Sequence, residues 1–384
     1  MTEQELVAGI TPADQESMAQ ASAHWNSIAK PLHGLGRLED LIVRAAGGAG
    51  TWNLTMEKKA VAVFCADNGV VAQGVTQAGP GVTLEVAKAL GRDRSSVCHM
   101  ARTAGAQVVP VDVGMIPHPP LPGVQDRSLM PGTWDISQGP AMTRETAVQA
   151  VSVGVETALE LAGQGYNLLA AGEMGIGNTT TTAAVTAALL GLSPEETVGR
   201  GAGLSDQGLA RKRWAVARAL EVNAPDSQDP MDIICKVGGL DIAAMTGFYL
   251  GCAKARVPVL LDGAISCAAA LLAVRLCPQA EKVLLPGHWP LEPSGRLLLK
   301  APGIGACAGC PAPPGRGHGS CSRHAPAGHG PVHLPGDVQL FRHGPVRLPG
   351  GRRSGVRPCR PGGPRLTALV FGGSACGKSG YGER

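Results

Sequence analysis

The chain has 384 residues, 44% hydrophobic and 17% charged, which is enough for two ordinary domains with a real core. Aromatics make up only 3%, so the core must be built from Ala, Val, Leu and Ile, which suits helices on a buried sheet better than a β-sandwich. The net charge of +4 hides a division, with 23 Lys/Arg against 28 Asp/Glu in residues 1–300 and 11 against 2 in 301–384. The opening MTEQELVAGI lacks the basic region and apolar core of a signal peptide. Even CAAALLAVRLC (267–277), broken by Arg275, falls short of the ~20 apolar residues that span a bilayer. A cytoplasmic enzyme without membrane contact is the expectation.

Residues 1–50 read as mainly helical and predict a small separate layer. From there strand, loop and helix alternate. AVAVFCAD (60–67), QVVPVDVG (107–114), YNLLAAGE (166–173), VPVLLDG (257–263) and KVLLPG (282–287) are short apolar runs, too short for helices and unbroken enough to be buried on both faces. Between them the pattern predicts helices over 83–102, 143–163, 178–190, 209–221 and 238–255. Alternating β and α with buried strands predicts an α/β fold, a parallel sheet covered by helices over 51–300. In such sheets ligands bind beyond the carboxyl ends of the strands, where Asp67, Glu173 and Asp262 are expected.

Gly plus Pro supply 27 of the 64 residues in 301–364, a Gly/Pro/Arg-rich stretch whose chain entropy burial cannot offset. A disordered tail is expected there. Its basic charge invites a nucleic-acid reading, which the shortage of Lys and aromatics argues against. Cys65, Cys98, Cys235, Cys252, Cys267 and Cys277 lie in apolar or helical stretches and read as small buried hydrophobes in a reducing compartment. Cys307 and Cys310, followed by His318, Cys321 and His324, open with zinc-like spacing. The second half-site is irregular and nothing frames it, so no metal is expected.

The stretch from Gly172 through Glu173, Gly175, Gly177, Asn178 and Thr179 follows a predicted strand and opens a predicted helix. Its glycines admit a ligand close to the backbone, and free N–H groups at a helix start suit a phosphate. The bland alternative is a tight turn capped by Asn178 or Thr179. Glu173 beside an anion site points to handling of a proton or a hydroxyl. A second Gly-rich stretch holds Gly199, Gly201 and Gly203 and leads into Arg211-Lys212-Arg213. Lys212 is a phosphate counter-charge or part of a solvated helix face. Asp67-Asn68-Gly69 suits a ribose contact or an Asx-turn. Asp262 closes another strand before a helix, and Ser266 reads as packing. Residues 372–379 spell GGSACGKS, a P-loop by pattern and by its preceding apolar run. Only five residues follow Ser379, so no nucleotide-hydrolysing site is expected from the fragment 365–384.

These motifs, taken in order, resemble one family. KPLHGLGRLE (30–39), FCADNGV (64–70), GEMGIGNTT (172–180), GRGAGLSD (199–206), KVGGLDIAAMTGFYLG (236–251) and VLLDGAISCAAALL (259–272) look like the successive motifs of the nicotinate-nucleotide:dimethylbenzimidazole phosphoribosyltransferases. The resemblance covers roughly residues 20–300. It implies a Rossmann-like sheet with a small helical domain, a homodimer, and no cofactor. It also implies transfer of phosphoribose from nicotinate mononucleotide to dimethylbenzimidazole or a related azole, giving α-ribazole phosphate and nicotinate in cobalamin lower-ligand assembly. By the same resemblance, the loop of Gly175, Gly177, Asn178 and Thr179, with Lys212, holds the phosphoribosyl group, and Glu173 lies near the incoming base. Asp67, Gly172, Gly201, Gly203 and Asp262 complete the expected substrate contacts.

Three departures stand out. Asn68 replaces a His common in the family, and Pro80 lies where a base-pocket Gln is often found. The family's closing GEGTGA motif, with its principal catalytic glutamate, is absent from the chain. Arg316-Gly317-His318-Gly319-Ser320 is compatible with codons CGA GGG CAC GGG AGC, which after GG and read one frame over spell GEGTGA. A frameshift near residue 300 is therefore expected to have replaced the C-terminal region. Residues 366–384 resemble the opening of the adenosylcobinamide kinase family. The rival expectation is a catalytically impaired nucleotide-binding relic.

Overall fold

A computed structural model describes residues 1–304, apart from Pro80 and Trp289. The segment from 305 onward, with its Cys/His cluster and GGSACGKS stretch, lies outside the described residues, as does Pro80. Three helices lead the chain: α1 (Glu3–Val7), α2 (Gln15–Ser27) and α3 (Arg37–Ala49). The first two have local start signals. Thr2 and Glu5 form a capping box on α1, and Asp14 accepts the Ser17 N–H at the head of α2.

Strand β1 (Lys59–Ala66) follows, then α4 (Gly81–Gly91), α5 (Ser96–Thr103), β2 (Ala106–Gly114) and the short β3 (Gln125–Asp126). The second half runs α6 (Arg144–Gly163), β4 (Leu168–Met174), α7 (Asn178–Leu190), α8 (Pro194–Thr197), α9 (Asp206–Asn223), α10 (Pro230–Val237) and α11 (Leu240–Ala255). It closes with β5 (Val259–Leu261), α12 (Ala264–Leu276), β6 (Leu284–Pro286) and α13 (Pro293–Lys300). Among the described residues six strands form one sheet in the order β3-β2-β1-β4-β5-β6, and every pairing is parallel. This is the doubly wound order of Rossmann-like folds.

Both sheet faces are buried, as the unbroken apolar strands require. Along β1, Ala60, Ala62 and Phe64 face the larger cluster with α6, α11 and α12. Val61, Val63 and Cys65 face the other way, onto Val86 and Leu90 of α4 and Cys98 of α5. At the far end of that second face Leu168 and Leu285 pack on Ala45 of α3. Phe64 meets Phe248 of α11 edge to face, with centroids 5.7 Å apart. Among the described residues no helix is long and apolar enough to cross a membrane.

Three expectations change. The helix expected over 83–102 is two helices. Asp93 takes a left-handed φ of 56°, and Ser95 caps α5 by accepting the Cys98 N–H. The cause is tertiary, because the backbone at Pro122 and Gly123 crosses directly over Gly91, where any Cβ would overlap it. Strand β3, two exposed residues long, carries no period that could predict it, and helix α10, which Asp229 caps and Pro230 opens, is an element beyond the predicted helices. The tail boundary placed at 301 moves, because Ala301 and Ile304 are buried in the core and Arg44 of α3 donates to the carbonyls of Gly303 and Ile304. The six cysteines of the described residues are all buried.

Candidate active site

Strand β1 leads to helices on one face of the sheet, while its neighbour β4 leads to α7 on the other. Their carboxyl ends therefore part and leave a crevice at the point where strand order reverses. β1 delivers Asp67 and Asn68 there. β4 delivers Glu173 and then the turn Gly175-Ile176-Gly177, which opens α7. Gly177 sits at φ +99°, a left-handed position that favours glycine. A Cβ on Gly175 would lie 2.6 Å from Asp241 Oδ2 and 2.7 Å from the Ala66 carbonyl. The glycines thus let the turn press against the end of β1 and the start of α11.

Three carboxyl-bearing side chains converge on this turn. Asn178 Nδ2, in the first turn of α7, donates to Glu173 Oε2 and, at 2.9 Å, to Asp241 Oδ2. Asp241 is fully buried, and its Oδ1 accepts the Ile242 N–H at 3.0 Å. Burial pushes the Glu173 carboxyl up to about 8, with the like charges of Asp241 and Asp262 adding to the effect and Asn178 opposing it. Burial raises Asp241 to about 6. Asp67 is buried and also raised by burial. Its Oδ2 accepts the Ile116 N–H at 2.8 Å and the Thr83 hydroxyl interacts with the carboxyl, while among the described residues Oδ1 has no hydrogen-bond partner of its own. Asn68 donates to the Ile176 carbonyl at 3.4 Å, and its Oδ1 likewise lacks a donor. Two buried acceptors without donors at one strand end are costly and suit a ligand's hydroxyl groups.

On the outer side of the α7 start stands a buried cation. Lys212 of α9 is 0% exposed, and Nζ donates to Thr179 Oγ1 at 2.8 Å and to the Gly199 carbonyl at 3.3 Å. Burial lowers it to about 8, with Glu292 pulling the other way. A Cβ on Gly201 would stand 3.1 Å from Thr179 Oγ1 and 3.5 Å from Lys212 Nζ, so this loop lies directly over the pair. The solvated-face alternative therefore fails for Lys212, although it holds for its exposed neighbour Arg211.

The structure brings together Glu173, Gly175, Gly177, Asn178 and Asp67 in one group, and Thr179, Lys212 and Gly201 in an adjoining one. Asp262, at the end of β5, lies 4.0 Å from His288 and acts on Glu173 by charge. Gly172 stands apart, because it is a strand residue paired with Val63 inside the sheet. Gly203 is exposed, and its carbonyl accepts from Gln77 at 2.5 Å. Neither Asp67 carboxyl oxygen makes an Asx-turn. Instead Oδ2 fastens the 115–120 loop, which His118 also ties to Asp112 at 3.0 Å. Ser266 is a packing residue, bonded to Tyr249 at 2.6 Å and to the Asp262 N–H at 3.0 Å.

Asp241 is the residue that reading for motifs passed over. Its signal was present, since it is the one charged residue in GGLDIAAMTGFYLG (238–251), an otherwise apolar helix start behind two glycines.

The family model described as Phosphoribosyltransferase matches residues 10–319. The nicotinate-nucleotide–dimethylbenzimidazole phosphoribosyltransferase of Acetivibrio thermocellus is 42% identical over 290 residues, covering 76% of this chain and 83% of that protein. The like-named protein of Chloroflexus aggregans is 43% identical over 284 residues, covering 74% and 80%. The crystal structure of the Thermus thermophilus enzyme of that name superposes with a TM-score of 0.70 at 41% identity, covering 75% of this chain and 86% of that one. With the doubly wound sheet and the carboxyl cluster at its switch point in place, these likenesses make the chain a member of the nicotinate-nucleotide–dimethylbenzimidazole phosphoribosyltransferase family.

Proposed function

We propose that this chain transfers phosphoribose from nicotinate mononucleotide to dimethylbenzimidazole or a related azole, releasing nicotinate and α-ribazole 5′-phosphate. The observation that carries this reading is Glu173, a carboxyl raised to about 8 and held by Asn178 beside a glycine-lined helix start. An azole nitrogen attacks C1′ while the C1′–nicotinate bond breaks. The electron pair of that bond neutralises the departing pyridinium. The azole N–H gives its proton to ionised Glu173, whose raised proton affinity makes it an effective base. Lys212, Thr179 and the Gly175–Gly177 turn are proposed to hold the 5′-phosphate, where charge and free helix-start N–H groups act together. Asp67 Oδ1 and Asn68 Oδ1 are proposed to accept ribose hydroxyls, and Gly201 to line the phosphate side.

The test is direct. The full chain is incubated with nicotinate mononucleotide and dimethylbenzimidazole, and nicotinate and α-ribazole phosphate are quantified by chromatography. Glu173→Gln is expected to lower kcat by about 10²–10⁴. Unchanged turnover in that variant would remove Glu173 from the chemistry. The absence of GEGTGA from the sequence favours a second reading, in which the chain binds nicotinate mononucleotide but does not release nicotinate. Saturable nucleotide binding without product distinguishes it. A homodimer and a cytoplasmic location are proposed from the resemblance.

A further inference from the structure

Asp241 is a fully buried carboxylate placed beside another carboxyl, an arrangement that destabilises a fold unless a role maintains it. One amide serves both groups. The two hydrogens of Asn178 Nδ2 go to Glu173 Oε2 and to Asp241 Oδ2, so the amide fixes the separation of the two carboxyls. Asp241 itself has no freedom to move. A Cβ on Gly175 would sit 2.6 Å from its Oδ2, and a Cβ on Gly239 would sit 2.5 Å from its Oδ1. Two glycines from separate loops therefore make room for this one carboxylate. An aspartate that served only to start α11 would need neither the enclosure nor the second bond, since a first-turn acid acts from an exposed position.

We propose that Asp241 is a positioning residue for Glu173. Acting through Asn178, its carboxylate fixes where the Glu173 carboxyl sits and places a like charge beside it. The inference rests on the proton-accepting role of Glu173 proposed above and names what sets that role. The charged groups facing Glu173 are Asp241 on α11 and Asp262 at the end of β5, with His288 4.0 Å beyond Asp262 and Asp67 acting on Asp241 from β1. Asp241 stands ahead of Asp262 in its effect on Glu173. With Asp241 ionised, Glu173 binds a proton more tightly and, once ionised, accepts one from an azole more readily.

The test is a carboxyl titration by NMR on the full chain labelled with ¹³C at the Asp and Glu carboxyl carbons. Glu173→Gln and Asp241→Asn assign the two resonances. In Asp241→Asn the Glu173 midpoint is expected to fall by about one unit or more, because the amide keeps the shape and removes the charge. In the unsubstituted protein each resonance is expected to show the inflection of the other, as coupled groups do. An unchanged Glu173 midpoint in the variant overturns the proposal. If the variant does not fold, independent single inflections in the unsubstituted protein overturn it equally. These readouts do not depend on turnover, so loss of the transferase reading and loss of the coupling are separate results. Where nicotinate is released, Asp241→Asn is expected to lower kcat about tenfold or more, leave KM for nicotinate mononucleotide within about threefold, and move the alkaline-rising limb to lower pH. A merely structural role would lower the melting temperature and leave that limb in place.

Discussion

Glu173 and Lys212 both sit near 8, reached from opposite directions, and their effects on folding have opposite signs. Folded Glu173 keeps a proton that the unfolded chain has released, so between 4.5 and about 8 its contribution to stability falls as pH rises. Folded Lys212 has lost a proton that the unfolded chain still holds between about 8 and 10.5, so there its contribution rises with pH. Glu173→Gln is therefore expected to raise the melting temperature at pH 8 by several degrees and to leave it nearly unchanged below pH 4.5, as read by calorimetry. A variant less stable than the parent at pH 8 would contradict the burial account. The same group sets the activity profile, since only ionised Glu173 accepts a proton. The value of kcat is expected to rise with pH through about 8. Lys212→Met should leave stability unchanged or higher, because a buried charge is replaced by a side chain of similar volume. It should weaken nicotinate mononucleotide binding about 10- to 100-fold, as loss of a charged hydrogen bond does. Binding equal to the parent's, measured by calorimetric titration, would remove Lys212 from the phosphate site. At this scale the sequence revealed the glycines and Glu173 because their spelling between strand and helix is local. It could not reveal that Lys212 faces inward while Arg211 faces solvent, which the packing of α9 on α7 decides.

The helices α6 and α11 cross with their backbones almost touching. A Cβ on Gly154 would overlap the Ala244 carbonyl, and a Cβ on Gly247 would overlap the Val151 carbonyl. This close crossing fixes the line of α11 and so the place of Asp241 at its start. Gly154→Ala or Gly247→Ala is expected to destabilise the fold by about 1–3 kcal/mol through overpacking, seen as a lower urea midpoint at unchanged slope. A midpoint equal to the parent's would show that the crossing can relax. The alternation of short buried strands with longer helical segments made five of the six described strands legible. α7 and α6 were also readable almost to the residue, because Thr143 and the 175–177 turn are local start signals. The break between α4 and α5 was not legible, because its cause is the distant loop at Pro122 and Gly123 passing over Gly91.

At the scale of the whole molecule, the N-terminal helices are bolted to the far end of the described chain. Arg44 donates to the Glu281 carbonyl at 2.6 and 3.1 Å and to the carbonyls of Gly303 and Ile304, while Lys282 donates to the Thr11 carbonyl at 2.6 Å. Contacts between the chain ends were invisible to a reading that took segments one at a time. That the site lies at the carboxyl ends of the strands, by contrast, follows from the βα alternation, while the strand order that places the crevice between β1 and β4 is set by tertiary packing. The crevice is proposed to perform phosphoribosyl transfer with Glu173 as base. The measurement that tests it most directly is nicotinate release by the full chain, followed at pH 8 with nicotinate mononucleotide and dimethylbenzimidazole. One nicotinate for each α-ribazole phosphate formed, lost in Glu173→Gln, is the predicted result. Nucleotide that binds saturably yet yields no nicotinate with the azole present would contradict it.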